Sequence, residues 1–356
     1  MPRESFCIKV SKKDGEKAIL AAKRAGLSDR DLVIHSDEKF VYIPIVRNPS
    51  KKEQNLFEKE ILDFQLEVYN FQERPRREKT LVDVLESKLP PNLSVRLPKA
   101  LDIIGDIAII EVPSELEIYK KTLGEAVLHL HRNVRTVLAK AGAVGGTYRL
   151  REFDLIAGED KTTAVHKEFG CTYYVDVAKV YFSPRLSHEH KRVASLVQRG
   201  ETVVDLFAGV GPFAVLIAKN TENVKVYALD INPNAIEFLK KNIRFNRVQN
   251  CVLPIFGDAR KIVEEELCGI ADRVIMNLPE GAVEYVDVAC RAIKHEGGTV
   301  HLYHFTRSSD SVEELKNRFS QAIERAGRKI DQILSLRNVR ETAPYEYQVA
   351  LDARIV

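Results

Sequence analysis

The segment Val203–Phe213, VVDLFAGVGPF, constrains the fold of this chain more than any other. Val203 and Val204 read as a short buried strand. Gly209 and Gly211 then let the backbone turn tightly and come close to a ligand without Cβ interference. Pro212 suits the first turn of a helix, where its missing N–H costs nothing. Strand, glycine turn and helix in this order belong to a sheet of parallel strands with helices packed on its faces. The surrounding sequence agrees. Short apolar runs recur at Thr202–Phe207, Val224–Asp230, Val252–Phe256, Arg273–Asn277 and Thr299–His304, with helical stretches such as Ala235–Asn246 and Tyr285–Lys294 between them. The fold class is therefore α/β, with a mostly parallel, doubly wound (Rossmann-like) sheet. A last strand, Glu346–Ile355, follows a turn at Ala343-Pro344-Tyr345 and is expected to add antiparallel at an edge.

The chain of 356 residues is long enough for two or three units. Residues 1–69 read as a small α+β domain, with strands at Phe6–Val10, Leu32–His35 and Phe40–Ile45 and a helix at Asp14–Ala25. Residues 70–79, NFQERPRREK, are poor in apolar side chains and read as a linker. A second α+β domain is expected over 80–174, with a strand-like run at Leu101–Glu111, a largely helical Glu115–Lys140, and hairpins at Val144–Ile156 and Thr162–Val177. The doubly wound domain takes 175–356. Five scattered cysteines without a CxxC pair suggest neither a disulfide framework nor a zinc site. No secretory signal or membrane-length apolar run is present, so the cytoplasm is the expected location and no membrane partner is expected. The net charge of +3 says little about partners, although Arg74, Arg76, Arg77 and Lys79 form one basic cluster that suits a solvated linker equally well.

Chemistry collects at the strand ends. Asp230, 19 residues beyond Gly211, can accept hydrogen bonds from both hydroxyls of a ribose. The turn lacks the full GxGxxG of a dinucleotide site and the lysine of a P-loop, which favours a ribose-containing ligand without a pyrophosphate. Asp258, in Gly257-Asp258-Ala259, can accept from an adenine amino group, and equally suits the N-cap of the next helix. With DLFAGVGPF and Asp230 it matches the class I methyltransferase pattern, so the expected cofactor is S-adenosylmethionine. At the fourth strand end, Asn277-Leu278-Pro279-Glu280 has glutamate where exocyclic-amine methyltransferases place an aromatic residue. No cysteine sits there to act as a C5 nucleophile. Both omissions point to attack by a ring nitrogen. Judged by spacing alone, Glu189 is a surface acid at a charged helix start. His188 and His190 have no further ligand cluster nearby, so no metal is expected.

At this point the chain resembles the archaeal and eukaryotic type of tRNA (guanine-37-N1)-methyltransferase. The resemblance is densest at Arg149–Leu155, His166–Glu168, Val175–Leu186 (VDVAKVYFSPRL), VVDLFAGVGPF, Ala228–Glu237 (ALDINPNAIE), Val274–Pro279 (VIMNLP) and the AP-x-EY segment around Ala343–Tyr347. It implies S-adenosylmethionine as methyl donor, S-adenosylhomocysteine as product, and Glu189 as the base that removes the N1 proton. It also implies Arg149 at guanine O6, and Tyr181, Asn277 and Pro279 positioning the base. Phe207, Gly209, Gly211, Asp230, Ile231, Asp258, Ala259 and Asn277 would hold the cofactor. His190 stands where the family often has an arginine reaching the cofactor's methionine end, with Lys191 and Arg192 as the other candidates. The partner implied is tRNA, with its outer corner read by the N-terminal domain and its anticodon stem-loop held by the other two. A monomer is expected, since the chain carries all recognition parts itself. Two related activities stay open: methylation of a tricyclic wyosine precursor at the same position, and aminocarboxypropyl transfer.

Overall fold

The computed structural model describes every residue except 1, 30, 62, 74–79, 87, 99, 143–144, 308–309 and 344. The basic cluster at 74–79 and Pro344 of the AP-x-EY segment therefore lie outside the described residues. The chain divides into two compact units, residues 1–79 and 80–356.

The first unit comprises β1 (Pro2–Ser11), α1 (Gly15–Arg24), β2 (His35–Ser36), β3 (Phe40–Ile45), α2 (Lys51–Glu60) and β4 (Phe64–Gln72). Its four strands form an antiparallel sheet in the order β2-β3-β1-β4. Ala18, Ala21 and Ala22 form one face of α1 and pack with Ile8, Ile43 and Phe57. Helix α2 begins at a Ser50/Glu53 capping box, which satisfies two otherwise unpaired N–H groups. The strand expected at Leu32–His35 is only His35–Ser36. Asp29 accepts the Asp31 N–H (3.0 Å) and so holds the chain in a loop, from which Leu32 anchors into a small cluster with Cys7, Tyr42 and Phe71.

The second unit opens with α3 (Leu81–Leu85), β5 (Leu101–Ile104), β6 (Ile107–Ile110), α4 (Lys120–Leu130), β7 (Thr136–Lys140) and β8 (Phe153–Gly158). Three expectations are corrected here. The run expected as one strand at Leu101–Glu111 is a hairpin folded at Gly105, where a positive φ of 60° and the Val165 carbonyl oxygen, 2.5 Å from where a Cβ would lie, exclude a side chain. The helix expected over Glu115–Lys140 ends at Leu130, and TVLAK becomes β7. That segment is buried between β6 and β8, and sheet pairing outweighs the helix preference of its Leu, Ala and Lys. Of the two hairpins expected next, Thr162–Val177 forms one, of β9 (Thr163–Glu168) and β10 (Cys171–Asp176), whereas Val144–Ile156 holds, among the described residues, only a Gly145–Leu150 bridge and its end joins β8, which pairs with β7.

Next come α5 (Ser187–Leu196), β11 (Thr202–Asp205), α6 (Pro212–Asn220), β12 (Lys225–Asp230), α7 (Pro233–Asn246), β13 (Val252–Phe256), α8 (Ala259–Glu266) and β14 (Arg273–Met276). The chain finishes with α9 (Val286–Ala292), β15 (Gly298–Thr306), α10 (Asp310–Arg325), β16 (Ile330–Ala343) and β17 (Glu346–Ile355). The sheet order is β13-β12-β11-β14-β15-β17-β16, parallel through β15 and antiparallel in the last two strands. Strand β17 is therefore antiparallel as expected, but it lies inside the sheet; the edge is β16. Strand β16 is rich in polar residues and its pairing with β17 shifts register at four places, which hides the period-2 signal of a strand. Apolar clusters cover both faces of this sheet, one including Phe213, Leu239 and Tyr303, the other Leu206, Leu302 and Phe319. Each such buried side chain contributes about 1.5–3 kcal/mol. Among the described residues no helix is long and apolar enough to cross a membrane.

One face of the last three strands positions the site. His301, Tyr303 and Phe305 of β15 pair with Asp352, Ala350 and Gln348 of β17, and so share a face. In β16, Arg337 pairs with Ala350 and Arg340 with Gln348, because Val339 is an extra residue in the ladder. The bulge puts two arginines three positions apart on the same face, which a regular strand would not do.

Candidate active site

The parallel strand ends and the segments at 147–149 and 181–190 enclose one cavity. Gly209 (φ 57°), on the cavity wall, and Gly211 (φ 88°), behind it, form the turn after β11, and Pro212 opens α6. Asp230 Oδ2 accepts the Gly209 N–H (2.7 Å) and Oδ1 the Asn232 N–H (2.8 Å), so the carboxylate braces the turn and still has lone pairs for a ligand. Burial pushes its carboxyl above the usual range. Phe207, Gly209, Ile231, Asp258, Ala259, Asn277 and Pro279 also line the cavity. Asp258 caps α8, its Oδ1 accepting the Arg260 N–H (2.8 Å), and it also lines the cavity. Asn277 Oδ1 is buried there without a partner among the described residues.

Arg149 and Tyr181 line the same cavity. Arg149 is held bidentately by Glu280 at 2.8 and 2.9 Å, using one proton from each terminal nitrogen and leaving three N–H donors without a partner among the described residues. Tyr181 Oη accepts from Arg340 Nη2 at 3.2 Å. Of the three basic residues considered for the methionine end, only His190 reaches the cavity. Lys191 lies over the Phe169 ring at 4.8 Å, and Arg192 is paired with Asp352. His190 Nδ1 is 2.7 Å from Glu168 Oε1, and its ring meets the edge of Phe213. Burial alone would raise the Glu168 carboxyl, but the imidazoles of His166 and His190 outweigh it and hold the carboxyl at about 2.

Glu189 and Gly211 are not on the cavity wall. Gly211 serves as the left-handed N-cap of α6. Glu189 is buried one residue before His190, and its Oε2 accepts from Tyr303 Oη (3.0 Å), Arg337 Nη2 (2.5 Å) and Arg192 Nε (3.2 Å). Its Oε1 has no partner among the described residues. Behind it runs a buried polar chain. Arg192 pairs with Asp352, Asp352 Oδ1 lies 2.6 Å from His301 Nδ1, and Arg273 Nη1 lies 2.7 Å from His301 Nε2. Arginine only donates, so His301 Nε2 accepts and its Nδ1–H donates to Asp352. Burial pushes His301 down, while His301 and Arg192 overcome burial to hold Asp352 at about 2.

Sequence reasoning missed Gln348, Phe305, Tyr285, Leu278 and Ser183 on the cavity wall, and Arg340 beside it. Gln348 and Phe305 face the cavity through sheet register, for which a single sequence carries no motif.

Comparison with known proteins settles the family. The model of the TRM5/TYW2 methyltransferase domain matches residues 164–331, that of the TYW2 N-terminal domain 81–162, and that of the tRNA methyltransferase 5 N-terminal domain 7–53. The tRNA (guanine(37)-N(1))-methyltransferase Trm5b of Pyrococcus abyssi is 39% identical over 358 residues, covering 99% of each chain. The chain belongs to the TRM5/TYW2 methyltransferase family. The crystal structure of Pyrococcus abyssi Trm5b superimposes with a TM-score of 0.84 at 38% identity, over 99% of both chains. The complex of aTrm5 with tRNALeu gives 0.78 at 34% identity, over 98% of this chain and 99% of the other. Methanocaldococcus jannaschii TYW2 in complex with AdoMet gives 0.56 at 28% identity, over 72% of this chain and 99% of the other.

Proposed function

We infer that this member of the family uses S-adenosylmethionine to methylate N1 of guanosine 37 in tRNA. The observation that carries the reading is the single cavity whose walls include both the Asp230 and Asp258 strand ends and Arg149, Tyr181 and Asn277. The 39% identity to Trm5b along the whole chain supports the same substrate. The orphaned Asn277 Oδ1 and the braced glycine turn fit an adenosine-bearing cofactor, with Asp230 at the ribose, Asp258 and Ala259 at the adenine, and Phe207 and Ile231 against its faces. His190, beside the N-terminus of α6, holds the methionine end. When bound, S-adenosylmethionine supplies an electrophilic methyl on a sulfonium.

The chain's own task is to make guanine N1 nucleophilic. Glu189 accepts the N1 proton. With Oε2 tied by three donors, the free Oε1 is the oxygen that does so, and a positioned base contributes about 10²–10⁴ in rate. Negative charge then gathers on O6, where the unused N–H groups of Arg149 stabilise it. Because N1 lies on the pairing edge, the base must be drawn out of its stack, and Tyr181, Asn277 and Pro279 then hold it. The domain over 80–174 grips the anticodon stem-loop together with 175–356, and the domain over 1–69 reads the outer corner, with a monomer as the working unit.

Nucleoside mass spectrometry of tRNA incubated with the protein and S-adenosylmethionine tests this reading. The expected product is 1-methylguanosine at position 37. An aminocarboxypropyl adduct, or no adduct on guanosine 37, refutes it.

A further inference from the structure

Gln348 is the buried polar side chain on the cavity wall that the proposed reaction leaves without a task. It is 1% exposed, and its Oε1 accepts from Arg340 Nε at 2.9 Å. An arginine can only donate, so this bond fixes which way the amide points: carbonyl to Arg340, NH₂ away from it. That Nε2 is buried and has no partner among the described residues. A buried amide nitrogen left unpaired is costly and calls for an acceptor. Two neighbours locate it at the base end of the cavity. Gln348 pairs across the sheet with Phe305, whose N–H donates to the Pro279 carbonyl at 3.2 Å. Arg340, which sets the amide, also donates to Tyr181 Oη (3.2 Å) and Ser183 Oγ (2.8 Å).

We propose that Gln348 donates to the C6 carbonyl of the target purine and, with Arg340 as its positioning residue, makes the site reject adenine. The proposal rests on the reading of the cavity as a guanine site. Guanine offers an acceptor at position 6, whereas adenine offers an amino group, which would set donor against donor. The O6 oxygen has two lone pairs, so Gln348 and Arg149 can share it. Sites that bury a hydrogen-bonding group discriminate strongly against a ligand that leaves it unpaired.

The test measures competition between tRNAs carrying guanine, hypoxanthine or 2-aminopurine at position 37, with S-adenosylhomocysteine present. Hypoxanthine keeps O6, and 2-aminopurine lacks it. Gln348→Met should shrink the preference for guanine over 2-aminopurine on the order of 10- to 100-fold. It should leave guanine against hypoxanthine, and cofactor affinity by calorimetry, unchanged. Gln348→Glu keeps an acceptor for Arg340, and so keeps the fold, but presents no donor; it should lose the same preference. Arg340→Met should lose it too, and Arg340→Lys should recover part of it. An undiminished preference in Gln348→Met and Gln348→Glu, or a loss that falls on cofactor affinity, overturns the assignment. A wild-type protein that shows no guanine preference at all overturns instead the reading of the site on which this one rests.

Discussion

Replacing Asp205 by asparagine should stabilise the protein at alkaline pH and change little in mild acid. Asp205 is fully buried at the end of β11; Oδ1 accepts the Phe207 N–H at a long 3.4 Å, and Oδ2 has no partner among the described residues. Burial, which the Phe207 N–H offsets in part and the nearby Asp230 reinforces, pushes its carboxyl up to about 7. An unfolded aspartate loses its proton near pH ~3.9. Between those two values the folded state binds the extra proton, so stability falls as pH rises, by about 1.4 kcal/mol per unit. Over roughly three units the loss is about 4 kcal/mol, complete above pH ~7. Asparagine mimics the neutral acid in shape and carries no such term. For a unit of this size that difference corresponds to about 10 °C in Tm at pH ~8. Thermal unfolding of both proteins without cofactor, from pH ~5 to ~8.5, reads it directly. A difference that is constant with pH, or an asparagine variant less stable at the alkaline end, refutes the reasoning.

Glu189→Gln should lower single-turnover methylation about 10²–10⁴-fold with cofactor affinity retained. Arg337→Met should lower the rate in the wild type but not further in the Glu189→Gln background, since its guanidinium acts on that carboxylate; additive losses would separate the two. Gly211→Ala should cost about 1–3 kcal/mol, because the residue sits at φ 88° and a Cβ would lie 2.3 Å from Leu239 Cδ1. Denaturant titration measures this, and an unchanged midpoint would count against the strain. Removing the first unit, residues 1–79, should weaken binding of whole tRNA far more than of an isolated anticodon stem-loop. Equal losses on both would contradict the outer-corner assignment.

The parallel core of the fold was legible because its signals are local. Val203–Phe213 needs only a strand, two glycines and a proline, and the adjacent strands are short apolar runs bounded by helices. The hairpin at Gly105 was legible in principle but overlooked, since Gly105-Asp106 interrupts the apolar run DIIGDIAII as a two-residue turn, with Ile104 paired to Ile107 across it. Strand β16 was illegible. Its bulges break alternation, and its polar residues earn their places from partners far away in sequence. The same contrast holds at the site. Asp230 and Asp258 could be read from their positions after strands, whereas Gln348 becomes meaningful only through its register with Phe305 and its bond to Arg340. That Glu189 is gripped on one oxygen alone depends on Tyr303 and Arg337, which come 114 and 148 residues later.

The extra residue at Val339 gives the edge strand a fixed count. Arg337 touches Glu189 and Arg340 touches Gln348 only while three residues span two ladder positions. Deleting one residue there would restore regular alternation and send one arginine to the opposite face, and whichever end kept its partner would cost the other. The placement of Glu189 and the orientation of Gln348 would therefore not both survive such a deletion. An insertion or deletion there, although on the rim of the sheet where length changes are usually tolerated, should disable proton removal or purine selection without touching a single cavity residue.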